Sequence, residues 1–224
     1  MRVVAWNAAM NLPKGWSRIQ DLRPSVLIVS ECRTADFRSL PASQMVWLGK
    51  GDRGVAIIAP AGVVLTPGPE VQSSIFVTGS FEIFDRHFQI VGVCSKKDPS
   101  YTRGTLSAIE QLSGWSRQHF TVWAGDFNQS QKFKRPAGHN FEDAKLAFDS
   151  IGLESSYHAI TKEPFGAEQS PTYFQYWREE RGFHIDYAFG PKGASRKVTV
   201  GGYEEWTATS ISDHVPIVVD FATG

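Results

Sequence analysis

The chain has 224 residues, 42% of them hydrophobic, enough to close one substantial core and within the range that folds as a single domain, residues 1–224. Its 23 basic and 23 acidic side chains balance, which excludes a protein that coats nucleic acid but not an enzyme whose site is itself acidic. Two cysteines exclude a disulfide framework, and neither lies in a zinc-binding pattern, so Cys32 and Cys94 are expected as buried thiols.

Apolar alternation and turn residues predict a strand over 2–6, a helix over 14–22 and strands over 26–30, 44–48, 54–59, 73–78, 80–85 and 88–94. Met1 to Asn7 enters the first strand without a basic start, a long apolar stretch and a small-residue cleavage site, which predicts a cytoplasmic protein. A helix follows over 101–118, where Leu106, Ile109, Leu112 and Trp115 make one apolar face and Ser100 or Thr102 is the expected cap. A strand over 120–124 and a helix over 140–151 come next, then strands over 171–174, 184–189, 196–201 and 215–221. The stretches 129–141 and 159–171 read as long loops, which in compact domains often carry function. No apolar run approaches the roughly 18 residues of a membrane span. Many short strands with interspersed helices predict a sheet core covered by helices on its outer faces.

Polar side chains stand where these strands end, in five places: Trp6-Asn7, Ser30-Glu31-Cys32, Gly125-Asp126-Phe127-Asn128, His184-Ile185-Asp186-Tyr187 and Ser212-Asp213-His214-Val215-Pro216. Singly, each has a plain structural reading as a turn former, a capping carboxylate or a satisfied core histidine. Together and in this order they resemble the superfamily of deoxyribonuclease I, exonuclease III, apurinic endonucleases, sphingomyelinases and inositol polyphosphate phosphatases. The resemblance spans nearly the whole chain: Trp6-Asn7, Glu31, the strand Gly54-Val55-Ala56-Ile57, GDFN at 125–128, HIDYAF at 184–189 and SDHVPI at 212–217. It is similar above all to a compact bacterial branch. It implies a four-layered αββα sandwich, deoxyribonuclease I-like.

The resemblance also implies a magnesium-dependent phosphoric ester hydrolase, with Mn²⁺ as a possible substitute. Mg²⁺ prefers oxygen donors and needs only one or two carboxylates beside substrate oxygens. By family position Glu31 is the principal ligand, with Asn7 and Asp213 close to the same ion. Asp126 is assigned to orient the attacking water and accept its proton, and Asn128 to hold that water or a phosphate oxygen. The family pattern gives His214 the phosphate or acid/base role and has Asp186 fix its ring, so His214 is expected to carry charge near neutral pH. One departure stands out: Cys94 replaces a histidine or tyrosine that relatives use at the leaving group or phosphate. A neutral thiol is a poor donor, so that role is either missing or passes to Lys96, Tyr101 or Arg103.

Lys96, Lys97, Arg103, Lys132, Lys134 and Arg135 form either a basic rim or a solvated face. The aromatic run Tyr173-Phe174-Gln175-Tyr176-Trp177 either lines a substrate groove, with Trp177 as the expected contact, or packs in the core. Thr172 is a further candidate for a phosphate oxygen. The resulting expectation is a phosphodiesterase acting on nucleic acid, DNA foremost, with no membrane and no obligate protein partner. A phosphatase or phosphodiesterase for a small molecule or lipid headgroup stays open, as does a silent scaffold.

Overall fold

The computed structural model describes residues 1–72, 75–83, 85–97 and 99–223. In chain order the elements are β1 (Arg2–Asn7), α1 (Leu12–Asp21), β2 (Val26–Cys32), β3 (Met45–Lys50), β4 (Arg53–Ile58), β5 (Thr66–Pro67), β6 (Ile75–Ile83) and β7 (Arg86–Cys94). There follow α2 (Tyr101–Ser116), β8 (Phe120–Asp126), α3 (Phe141–Ser150), β9 (Leu153–Ser155), α4 (Ser156–Thr161), β10 (Tyr173–Phe174), β11 (Gly182–Phe183), β12 (Asp186–Pro191), β13 (Ser195–Val200), α5 (Tyr203–Trp206) and β14 (Ile217–Phe221). One six-stranded sheet has the order β13-β14-β1-β2-β4-β3, and a second has β5-β6-β7-β8-β12-β9.

The two sheets bury both of their faces, which is why their central strands read as nearly continuous apolar runs. In β1, Val3 and Ala5 join Ile28, Val55, Ile57, Ile90, Val122 and Ile217 between the sheets. Val4 and Trp6 point the other way, onto Leu12 and Ile19 of α1. On the far side of the second sheet, Ala108, Ile109 and Leu112 of α2 pack with Trp123, Phe127, Phe148 and Phe189. Helix, sheet, sheet and helix are thus stacked in four layers, the expected αββα sandwich. Glycine sets the gap between sheets: a Cβ at Gly92 would meet Val55 Cγ1 at 3.1 Å and Ile28 Cγ2 at 3.2 Å, both of the opposite sheet.

The long helix starts where its cap was expected, with Ser100 Oγ accepting from the Arg103 amide at 3.2 Å. Two expectations need correction. The strands expected over 73–78 and 80–85 are one strand, β6, with Ser73, Ser74 and Phe84 outside the described residues. Gly79, left between the two expected strands, pairs with Ile90 in register, and a Cβ there would press on Leu65 at 3.1 Å. The loop expected over 159–171 begins inside α4, which buries Tyr157.

Candidate active site

Backbone pairing alone gathers the polar strand ends. β1 and β2 run parallel, so Asn7 lies level with Ser30 at their common end. β7 and β8 are also parallel and bring Cys94 level with Asp126, while β12 pairs antiparallel to β8 and sets Asp186 opposite Asp126. The two sheets are then pinned together at this edge. Asn7 Nδ2 donates to Asp126 Oδ2 at 3.0 Å, and Ser30 Oγ donates to the Val93 carbonyl at 2.9 Å.

Asp126 is fully buried and accepts three hydrogen bonds: from the Asn128 amide on Oδ1 at 2.8 Å, and on Oδ2 from Asn7 and from Asn128 Nδ2 at 2.9 Å. Burial and the charge of Asp186 still push its carboxyl up to about 7, against the lowering effect of His214 and these donors. The turn that presents it depends on Gly125, whose φ of 137° suits glycine, and a Cβ there would lie 2.2 Å from the Val93 carbonyl oxygen.

His214 Nδ1 meets Asp186 Oδ2 at 2.9 Å, with both residues buried. Burial acts to lower the imidazole's pKa, but the charge and hydrogen bond of Asp186, with Asp126 and Asp213 nearby, raise it to about 9. The backbone around the ring is fixed by Ser212, whose Oγ donates to the Asn7 carbonyl at 2.7 Å and accepts from the His214 amide at 3.0 Å. Trp6 Nε1 donates to the His214 carbonyl at 3.1 Å. Neither Ser212 nor Trp6 was singled out by sequence, although both sit inside the motifs that carry Asp213 and Asn7.

Glu31 and Asp213 are the half-exposed carboxylates of the cluster. Glu31 occupies a bulge of β2 with φ of 51°, which turns its side chain out of the strand's alternation, and Arg53 Nη1 lies 3.8 Å from it. Asp213 has its carboxyl pushed up by burial and by the charges of Glu31 and Asp186, so Glu31 and Asp213 share one field.

The structure narrows other expectations. Both amide protons of Asn128 are committed, to Asp126 and to the Ser95 carbonyl at 3.2 Å, so only its Oδ1 is left for a water and none for a phosphate oxygen. Thr172, expected at a phosphate, is fully buried, and its Oγ1 accepts from the amides of Ile185 and Asp186 at 3.0 and 2.9 Å. It therefore positions Asp186 from below. His184 is a core histidine: Nδ1 lies 2.7 Å from the Ser170 carbonyl, and burial lowers its pKa.

Lys96, Tyr101 and Arg103 lie on the segment leaving Cys94, which is tied to the site by the Ser95 amide donating to the Asp126 carbonyl at 2.8 Å. Lys96 and Arg103 are exposed and Tyr101 is half-buried. Cys94 is buried and its thiol is pushed well above its ordinary range by burial and then by Asp126 and Glu31. Trp177 is exposed on a turn where it and Tyr176 both have positive φ.

Two donor sets fit a cation to different degrees. Ligand atoms of Asp126, Asp186 and His214 lie within 4.8 Å of one another, but all three residues are buried, and one donor or acceptor atom of each is taken by the His214–Asp186 pair or by Asn7 and Asn128, while Asp186 Oδ1 has no hydrogen-bond partner among the described residues. Glu31 and Asp213 present open oxygens beside the crowded negative charge, the arrangement that suits a hard cation. Asn7 Oδ1 accepts from the Ala9 amide at 2.9 Å and keeps a lone pair. Among the described residues no helix is long and apolar enough to cross a membrane.

No protein-family model matches the sequence, and no curated protein matches it by sequence. Solved structures do. A 3′ phosphatase, NExo, from Neisseria bound to a product DNA hairpin is 18% identical over 99% of both chains, with a TM-score of 0.71. The endonuclease domain of TRAS1, a telomere-specific non-LTR retrotransposon, is 12% identical over 98% of this chain and 97% of that one, with a TM-score of 0.72. An endonuclease/exonuclease/phosphatase family protein from Leptotrichia buccalis is 16% identical over 99% of both, with a TM-score of 0.64. Likeness over full length at such low identity establishes architecture, and the fold of this chain is that of the endonuclease/exonuclease/phosphatase superfamily.

Proposed function

We propose that the chain is a divalent-metal-dependent phosphodiesterase that hydrolyses nucleic acid, DNA foremost. The observation that carries this reading is the buried His214–Asp186 pair, 2.9 Å apart, set beside an Asp126 carboxylate held by two amide side chains. A protonated imidazole next to a carboxylate tuned towards neutrality supplies a cation for the phosphorane and a base for the attacking water, which serves an in-line attack on a phosphate ester.

Glu31 and Asp213, with Asn7 beside them, would hold Mg²⁺, or Mn²⁺ in its place. When bound, the ion supplies Lewis-acid polarisation of the phosphoryl oxygens. Asp126 takes the proton of the attacking water on Oδ1, which accepts one hydrogen bond and has a lone pair left. A carboxyl near 7 is half ionised at neutral pH, so the base is present without being too weak to accept a proton. Asn128 Oδ1 orients that water. Asp186 fixes His214 through Nδ1, leaving Nε2 without a partner among the described residues to meet a phosphate oxygen. Trp177 and the exposed cations Lys96 and Arg103 supply a stacking face and charge for the rest of the substrate.

DNA is favoured because one similar structure is described as bound to a DNA hairpin and another as a retrotransposon endonuclease domain. A second reading, hydrolysis of a small phosphate ester by the same residues, is favoured by the balanced charge of the chain and by the phosphatase among the similar structures. Purified protein with Mg²⁺ or Mn²⁺ should degrade plasmid or oligonucleotide, and chelator, Asp126→Ala or His214→Ala should abolish it. Intact nucleic acid together with cleavage of a small chromogenic phosphate ester by the same residues would establish the second reading.

A further inference from the structure

Tyr173 opens β10 and forms an isolated antiparallel bridge with His214. Its ring lies against the imidazole, with centroids 4.6 Å apart and planes tilted by 37°. The residue is half-buried, yet among the described residues its hydroxyl has no hydrogen-bond partner. Asp213, Asp126 and Glu31 are the nearest carboxylates to that hydroxyl, which places it at the edge of the site. At the end of β7, Cys94 offers only a buried thiol level with Asp126. A phenol donates a stronger hydrogen bond than a thiol does.

We propose that the Tyr173 hydroxyl donates a hydrogen bond to a non-bridging oxygen of the scissile phosphate, beside His214. The assignment rests on the phosphoester hydrolase reading above. It accounts for a phenol, and not merely a ring, at the place where packing on His214 needs only an aromatic face.

The test compares wild-type protein, Tyr173→Phe, Tyr173→Leu and Asp126→Asn with Mn²⁺ or Mg²⁺ on a short single-stranded oligonucleotide and on its two phosphorothioate diastereomers. A hydrogen bond to a charged oxygen formed in the transition state predicts a kcat about 10- to 100-fold lower for Tyr173→Phe, with KM little changed. The rate difference between one phosphorothioate diastereomer and the oxygen substrate should shrink in the same variant, a signature that lost packing does not produce. If Asp126→Asn is dead while Tyr173→Phe keeps the parent rate and the parent phosphorothioate effect, the hydroxyl has no role and the hydrolase reading survives. A loss confined to Tyr173→Leu overturns the proposal in favour of ring packing on His214. Wild-type protein that neither binds a 5′-phosphorylated oligonucleotide by calorimetry nor cleaves any phosphate ester overturns both.

Discussion

Replacing Asp186 with asparagine isolates one charge in the site. The carboxylate lies 2.9 Å from His214 Nδ1, and both groups are buried. The imidazole stands at about 9 where its ordinary value is 6.5, a preference for the charged ring of about 3 kcal/mol at about 1.4 kcal/mol per pKa unit. Asparagine keeps the shape and a carbonyl oxygen to accept from Nδ1, but leaves burial opposed only by the more distant Asp126 and Asp213. The ring's pKa should then fall by about 2 or more, and half or more of the molecules should carry a neutral His214 near neutral pH. If the imidazolium offsets charge on the phosphorane, hydrolysis falls by about 10²–10³-fold. Nitrogen NMR of His214 in metal-free protein reads the midpoint, and oligonucleotide cleavage reads the rate. A midpoint that stays near the parent value, or a rate within about threefold of the parent, would refute the reasoning.

Glu31→Gln should weaken Mn²⁺ binding by calorimetry and lower hydrolysis by about 10²-fold or more; unchanged affinity would remove Glu31 from the metal shell. Gly125→Ala places a Cβ 2.2 Å from the Val93 carbonyl oxygen at a φ of 137°. Urea unfolding should show a loss of about 2 kcal/mol or more, and a loss within error would mean the turn relaxes freely. Trp177→Ala should raise KM for a single-stranded oligonucleotide about tenfold and leave a small chromogenic diester unaffected; equal effects on both would place Trp177 outside the substrate path.

The pH dependence of stability has a fixed sign at two groups in the metal-free protein. Asp126 is raised from 3.8 to about 7, so the folded chain keeps a proton that the unfolded chain has lost, and stability falls as pH rises through that interval. His214 is raised from 6.5 to about 9, so its contribution is complete below the lower value and lost as pH climbs through the upper. Urea midpoints should therefore decline from about pH 4 to about pH 9 relative to an Asp126→Asn, His214→Gln double variant. A relative rise would contradict both assignments.

The gathering of Asn7, Glu31, Asp126, Asp186, Asp213 and His214 was legible because strands buried on both faces are apolar throughout, so a polar residue marks where each one ends. The long helix was legible for a similar local reason, a serine cap ahead of an apolar stripe. Hydrogen-bond commitments were not. That Asn128 has no proton to spare, or that Thr172 serves the Asp186 amide, depends on which strand lies alongside, and β12 reaches β8 only across an intervening 59 residues. The single course of β6 was hidden by Gly79, where packing against Leu65 prevails over the residue's habit of ending strands. Tyr173 was masked by its neighbours, since a run of aromatics looks alike whether its members stack on core or on His214.

The contact between Asn7 and Asp126 ties the carboxylate proposed as proton acceptor to the opposite sheet. One half of the sandwich carries the acceptor in its own backbone, and the other half grips it through an amide. Chemical competence is therefore a property of the docked pair: a chain with either sheet folded alone, or with the two slid past each other by a single residue, has all the reactive groups and no working arrangement of them.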